Sequence, residues 1–171
     1  MKSKKLAIII IVLLVVVFVF SLFLNKENIG KRKELLENAQ IEIIVNGDIY
    51  LLNKEIIEEI GTVEFNAILD TSTGSASEHR YQGIELSEIL NYFGGIKEDA
   101  SAIIAHGADG YSVAYSREEV FTEHKIYIAY MEDGEFLGGI DEGGRGPFEI
   151  IVLNDQFSNR RCKWLIRIGV V

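Results

Sequence analysis

Cys162 is the one thiol of the chain, so chemistry that needs a cysteinate, whether metal ligation or nucleophilic attack, must use that sulfur or do without. Residues 161–171 read as a strand. Alternation puts Cys162, Trp164, Ile166, Ile168 and Val170 on one apolar face and Arg161, Lys163 and Arg167 on the other. A free cysteine on an apolar face behaves as a small buried hydrophobe, which places Cys162 in the core. The basic residues beside it are a better lead. Arg160, Arg161, Lys163 and Arg167 gather four positive charges in eight residues with no acid among them, in a chain of net charge −9. Such a local reversal of charge marks a candidate anion site, with a solvated strand face as the plainer alternative.

Two other segments offer polar groups at close spacing. Residues 70–77 (Asp-Thr-Ser-Thr-Gly-Ser-Ala-Ser) form a loop of small oxygen-bearing side chains, followed directly by His79 and Arg80. Asp70, Thr71, Ser72 and Ser75 are candidates to line a polar pocket that His79 and Arg80 face, with a plain polar loop as the alternative. Residues 143–147 (Gly-Gly-Arg-Gly-Pro) form a tight turn that either needs unusual backbone angles or cradles a phosphate, with Arg145 as its cation. His79, His106 and His124 stand in separate segments without i, i+4 spacing, so no metal site is expected from them. The chain has no P-loop, no Gly-x-Ser-x-Gly and no paired cysteines, and no residue is assigned a catalytic role. Its acidic balance also argues against nucleic acid as a partner.

The elements that must carry these residues are short. Residues 41–45 and 49–52 read as strands joined by an Asn46-Gly47-Asp48 turn. Asn53 caps a helix over 54–60, with Leu52 and Ile57 as a hydrophobic staple and Gly61 as its stop. Strand formers fill 62–69. Leu86, Ile89, Leu90 and Phe93 mark one face of a helix stopped by Gly94-Gly95. Residues 101–105 and 111–115 flank an Asp109-Gly110 turn, Ser116 and Glu119 form a capping box, and 126–131, 149–153 and 163–170 complete the strands. Strands dominate without regular alternation with helices, which predicts an α+β domain with mixed sheets.

Ahead of this domain, residues 6–24 are apolar except for Ser21, about 19 residues, enough to span a bilayer. Positive charge alone precedes the run, which favours a cytoplasmic N-terminus and export of the chain beyond Leu24, although Lys31-Arg32-Lys33 lies on the far side. No small-x-small cleavage site is present. The expected organisation is a cytoplasmic segment 1–5, a single-pass signal anchor 6–24 in the cell membrane, a helical stalk 25–40, and an extracytoplasmic domain 41–171.

Four segments in order form a pattern: Tyr81-Gln82-Gly83-Ile84-Glu85-Leu86, Asp109-Gly110-Tyr111-Ser112, Gly143-Gly144-Arg145-Gly146-Pro147 and Lys163-Trp164-Leu165-Ile166. Together they resemble the molybdopterin-binding domain of the sulfite oxidase superfamily, over roughly 41–171. The resemblance implies an α+β domain that holds molybdenum through a pterin dithiolene and a cysteine thiolate, with basic residues on the pterin phosphate. Enzymes similar to it oxidise sulfite, reduce nitrate or reduce oxidised methionine. By position in the pattern, Arg161 and Lys163 are the candidates for the cofactor phosphate.

This chain departs from the pattern twice. Where the family places its ligating cysteine, residues 66–72 read Asn-Ala-Ile-Leu-Asp-Thr-Ser, and a hard carboxylate or hydroxyl does not reproduce a thiolate's donation. Two residues after the Gly-Gly-Pro of the family stands an arginine; here the turn carries an inserted Arg145-Gly146 and Glu149 takes the arginine's place. The reading is of a membrane-anchored domain that binds molybdopterin only by resemblance, without molybdenum catalysis, and whose partner is a small anionic or pterin-like ligand or an exported protein. The alternatives are an active molybdopterin-dependent oxidoreductase with atypical metal ligation, and a structural interaction domain of a membrane complex.

Overall fold

The computed structural model describes residues 2–70, 74–155 and 158–171. A single helix, α1 (Lys2–Asn38), carries the chain from its N-terminus to the domain. The sequence suggests a membrane span and a separate stalk, but no break divides them. From Ile9 to Phe20 its apolar side chains are exposed, and it is long and apolar enough to cross a bilayer. Its last turns behave differently. Leu36 is fully buried, and Arg32 bonds Glu142 at 3.0 Å and Glu135 at 3.1 Å, so the end of the helix is docked on the domain.

The domain holds two five-stranded sheets. The first runs β2 (Asp48–Leu52), β1 (Ile41–Val45), β10 (Leu165–Val170), β5 (Ala102–Gly107), β6 (Ser112–Ser116), with β1 and β10 parallel and the rest antiparallel. The second runs β3 (Val63–Leu69), β4 (Ser77–Glu85), β7 (Ile126–Glu132), and along the far edge of β7 lie both β9 (Glu149–Val152) and the short β8 (Glu135–Phe136). Local chemistry closes the connections. Asn46 and Gly47 take positive φ in the first hairpin, Asn53 accepts the Ile56 amide at 3.1 Å to start α2 (Lys54–Ile60), and Ser116 accepts the Glu119 amide to start α4 (Arg117–Val120). Helix α3 (Leu86–Tyr92) buries Leu86, Ile89 and Leu90.

Inward residues of both sheets, Ile43, Ile103 and Ile168 from one and Ile84, Ile128 and Ile150 from the other, share one core with these helices. The opposite face of the second sheet is covered too, over a smaller cluster of Ala67, Tyr81, Ala129 and Ile151. That second face positions the candidate site.

One element goes unassigned in the sequence and one expectation changes. Residues 77–85, rich in charged and polar groups, carry little strand propensity, yet β4 is the longest strand of the domain, because β3 and β7 pair with it on both sides. The last strand starts at Leu165 and not at Lys163, since Trp164 takes a φ of +48° and a bulge shifts the register between Leu165 and Arg167. Leu165 and Ile168 are buried while Ile166 is 46% exposed, so the expected alternation from Cys162 to Val170 fails. Arg161 and Cys162 precede the strand, and both are buried.

Candidate site on the outer face of the second sheet

Strand pairing sets Tyr81 opposite Glu132, and Ala129 opposite Glu149. A bulge between Gln82 and Gly83 brings β4 hard against β7, where a Cβ on Gly83 would collide with the Ile128 carbonyl; this is the physical need behind the glycine of Tyr-x-Gly. Tyr81 and Glu149 are fully buried and Arg161 nearly so. Buried charges require partners, and these form a chain. The Tyr81 hydroxyl donates to Glu132 Oε1 at 2.8 Å and receives the Arg161 guanidinium at 3.1 Å. Arg145 donates to Glu149 Oε2 at 3.0 Å and pairs with Glu132 through its other arm. Arg161 also donates to the Ile68 carbonyl at 2.9 Å, and its nearest approach to Glu149 is 3.9 Å. Burial pushes the Glu149 carboxyl up, against the pull of Arg145 and Arg161, and raises Tyr81 to about 12.

His79 sits at the open end of this chain. Its Nδ1 lies 2.7 Å from Asp133 Oδ2 and 3.4 Å from Glu132 Oε1, and its Nε2 lies 2.7 Å from Ser77 Oγ. Of the residues singled out in the sequence, the structure therefore gathers Arg145, Arg161 and His79 into one connected cluster. Arg80 points the other way, exposed, 4.0 Å from Glu64. Thr71 and Ser72 lie outside the described residues.

The basic run does not form a face. Arg160 is held by Glu119 at 2.7 Å and Asp155 at 3.0 Å, Arg167 by Glu42 at 2.7 Å, and Arg161 is inside. Among the described residues Lys163 alone of the four has no ion pair; its Nζ sits 6.0 Å from the centre of the Trp164 ring. The glycine-rich turn is equally committed. The amides of Gly143, Gly144 and Gly146 donate to the carbonyls of Ile140, Gly139 and Gly138, and side chains on Gly144 or Gly146 would strike Gly138 and Leu137. The Trp164 indole donates to the Gly144 carbonyl at 2.8 Å, which locks the turn to the Lys-Trp segment. Those glycines serve close packing, and three amides that would cradle a phosphate are already spent.

Of the acids of the network, Glu132 is absent from the sequence reading and Glu149 appears there only as the residue in the arginine's place. Their signal was present: each is a lone carboxylate at one end of an otherwise apolar strand, where a buried charge demands a cation nearby.

Two sheets and short helices, with a buried polar network on the outer face of the second sheet, define an α+β domain. The family model of the oxidoreductase molybdopterin binding domain matches residues 57–171, and the chain belongs to that family. It is also similar to the sulfane dehydrogenase SoxCD from Paracoccus pantotrophus, whose crystal structure aligns with a TM-score of 0.65 at 18% identity, over 78% of this chain and 38% of that one. The likeness is one of fold, and this chain spans well under half the length of the other. No curated protein matches.

The residues present do not fit a molybdenum cofactor. Cys162 is fully buried, bridged to Ile150 through two backbone hydrogen bonds, and burial pushes its thiol up to about 12. A thiolate ligand is thus unavailable there. At the end of β3, the Ile68 carbonyl is capped by Arg161 and Ser158, and the cavity alongside, of about 400 Å³, is lined by Asp70, Glu78 and Asp155, a charge that repels a phosphate. Arg145 faces Glu132 and Glu149 and has no charge to spare for an anion.

Proposed function

We propose that this chain is a membrane-anchored, extracytoplasmic binding domain of the molybdopterin-binding family that performs no molybdenum redox chemistry. The observation that carries the proposal is the chain of hydrogen bonds and ion pairs from Arg161 through Tyr81 and Glu132 to Arg145 and Glu149, which turns both guanidinium groups toward protein acceptors, with Arg161 Nε and Glu149 Oε1 buried and left without a hydrogen bond among the described residues. Helix α1 serves as the anchor over residues 6–24, its exit turns act as the stalk over 25–40, and the domain of 41–171 stands outside the cytoplasm. The positive charge at Lys2, Lys4 and Lys5 supports that orientation.

Its ligand is a small flat heteroaromatic molecule, a pterin among them. A groove of about 460 Å³ runs between the end of α1 and the glycine-rich turn, with Leu35, Ile140, Pro147, Trp164 and Ile166 on its apolar walls and Lys31, Asp141 and Glu142 as its charged groups. That is the size and apolar character of a small-molecule site. Trp164 and Lys31 line it, and Lys163, which lies outside the lining and has no ion pair among the described residues, stands 6.0 Å from the centre of the Trp164 ring.

Trp164 is the sole tryptophan, so its fluorescence reports this groove directly. Titration of the full chain in detergent with a pterin is expected to quench that emission saturably, and Ile140→Asp, which puts a charge on an apolar wall of the groove, to weaken binding about tenfold. Unchanged emission, with no heat in calorimetry, would remove the ligand assignment.

A further inference from the structure

We propose that His79, Glu132 and Asp133 form a site for a divalent cation of borderline hardness, of the zinc type, at the solvent end of the ion-pair chain. Such a site is independent of the groove and of any pterin. His79 Nδ1, Glu132 Oε1 and Asp133 Oδ2 all lie within 4.8 Å of one another. Donors about 2 Å from a common zinc ion stand roughly 3 Å apart, and the two distances from His79, 2.7 and 3.4 Å, bracket that spacing. One imidazole with two carboxylates suits zinc or a neighbouring first-row ion, and is unlike the soft sulfur set that molybdenum requires.

Each of the three side chains is oriented by a group outside the trio. Asp133 opens the β7–β8 turn at φ +50°, its own amide donates to the Arg80 carbonyl at 2.7 Å, and the Arg80 amide donates to its Oδ1 at 3.0 Å, which leaves Oδ2 facing His79. Glu132 is held through Oε2 by Arg145, and its Oε1 accepts the Tyr81 hydroxyl at 2.8 Å with a second lone pair left for the ion. His79 has Ser77 Oγ at 2.7 Å from Nε2, so with the proton on that nitrogen the lone pair of Nδ1 is directed at the carboxylates. This outer support is what metal-bound imidazoles and carboxylates carry. His79 and Glu132 are each about one-quarter exposed and Asp133 just over half, so an ion can enter from solvent and retain water on its open positions.

Without a cation, the same atoms make a plain hydrogen bond from Nδ1–H to Asp133, with the lone pair on the other nitrogen. The two states differ in tautomer, which gives a readout other than activity. The full chain in detergent, stripped with a chelator, is titrated with zinc by calorimetry and with cobalt by visible absorption, and the imidazole nitrogens are followed by NMR. One zinc per chain, a cobalt ligand-field band and a shift of the His79 proton to Nε2 are expected. His79→Ala and Asp133→Asn should each weaken binding by at least about tenfold, and Glu64→Gln should not. Absence of both the cobalt band and the zinc heat in the wild-type chain would overturn the proposal. So would unaltered affinity in Asp133→Asn, which keeps the shape of the turn residue and guards against a His79→Ala chain that fails to fold.

Discussion

Glu149 is the residue on which the polar face depends. It is completely buried between Arg145 and Arg161, and removal of one partner from a buried set costs about 3–5 kcal/mol, because the others stay desolvated and uncompensated. Glu149→Ala is therefore expected to lower stability by that amount in urea melts, and Arg80→Ala, exposed and 4.0 Å from its acid, by less than about 1 kcal/mol. Cys162 has the opposite character. With its thiol raised to about 12 from an ordinary 9.0, it should resist alkylation at neutral pH until denaturant is added. Above pH 9 the unfolded chain releases this proton while the folded chain still holds it, so Cys162 costs stability progressively as pH rises from 9.0 toward about 12. Cys162→Ala should flatten that alkaline decline, measured as the pH dependence of the urea midpoint.

At the level of elements, turns and caps were legible from residue chemistry, and pairing partners were not. Asn46-Gly47, Asn53 and Gly61 act through their own backbone and side chains, so they fall where the sequence puts them. β4 was hidden because its polar residues become a strand only between β3 and β7. The faces of β10 were misread because one left-handed residue, Trp164, and one bulge reset the alternation; the four basic side chains consequently leave in different directions. Arg145, Glu149 and Arg161 were individually visible, but their meeting depends on loops folding over the outer face of the second sheet. Gly83→Ala tests the close crossing that supports this face. A Cβ there meets backbone on β7, which has no room to yield, and a loss of about 3 kcal/mol in chemical denaturation is expected.

For the molecule as a whole, the docked end of α1 matters as much as its apolar stretch. Leu36 enters the main core, and Arg32 spans to Glu135 and Glu142, so the helix that is long and apolar enough to cross a membrane also completes one wall of the groove. Leu36→Ala should cost about 2–5 kcal/mol and expose the 25–40 segment to protease, whereas Arg32→Ala, on a partly exposed pair, should cost under about 1 kcal/mol. The chain has the family fold, and in the function proposed for it internal hydrogen bonds and ion pairs of Arg145 and Arg161 stand in place of the cofactor contacts. Metal content of the full-length chain, purified in detergent from cells that make molybdenum cofactor, tests this most directly. Elemental analysis should find no molybdenum above trace; one molybdenum atom per chain would contradict the account.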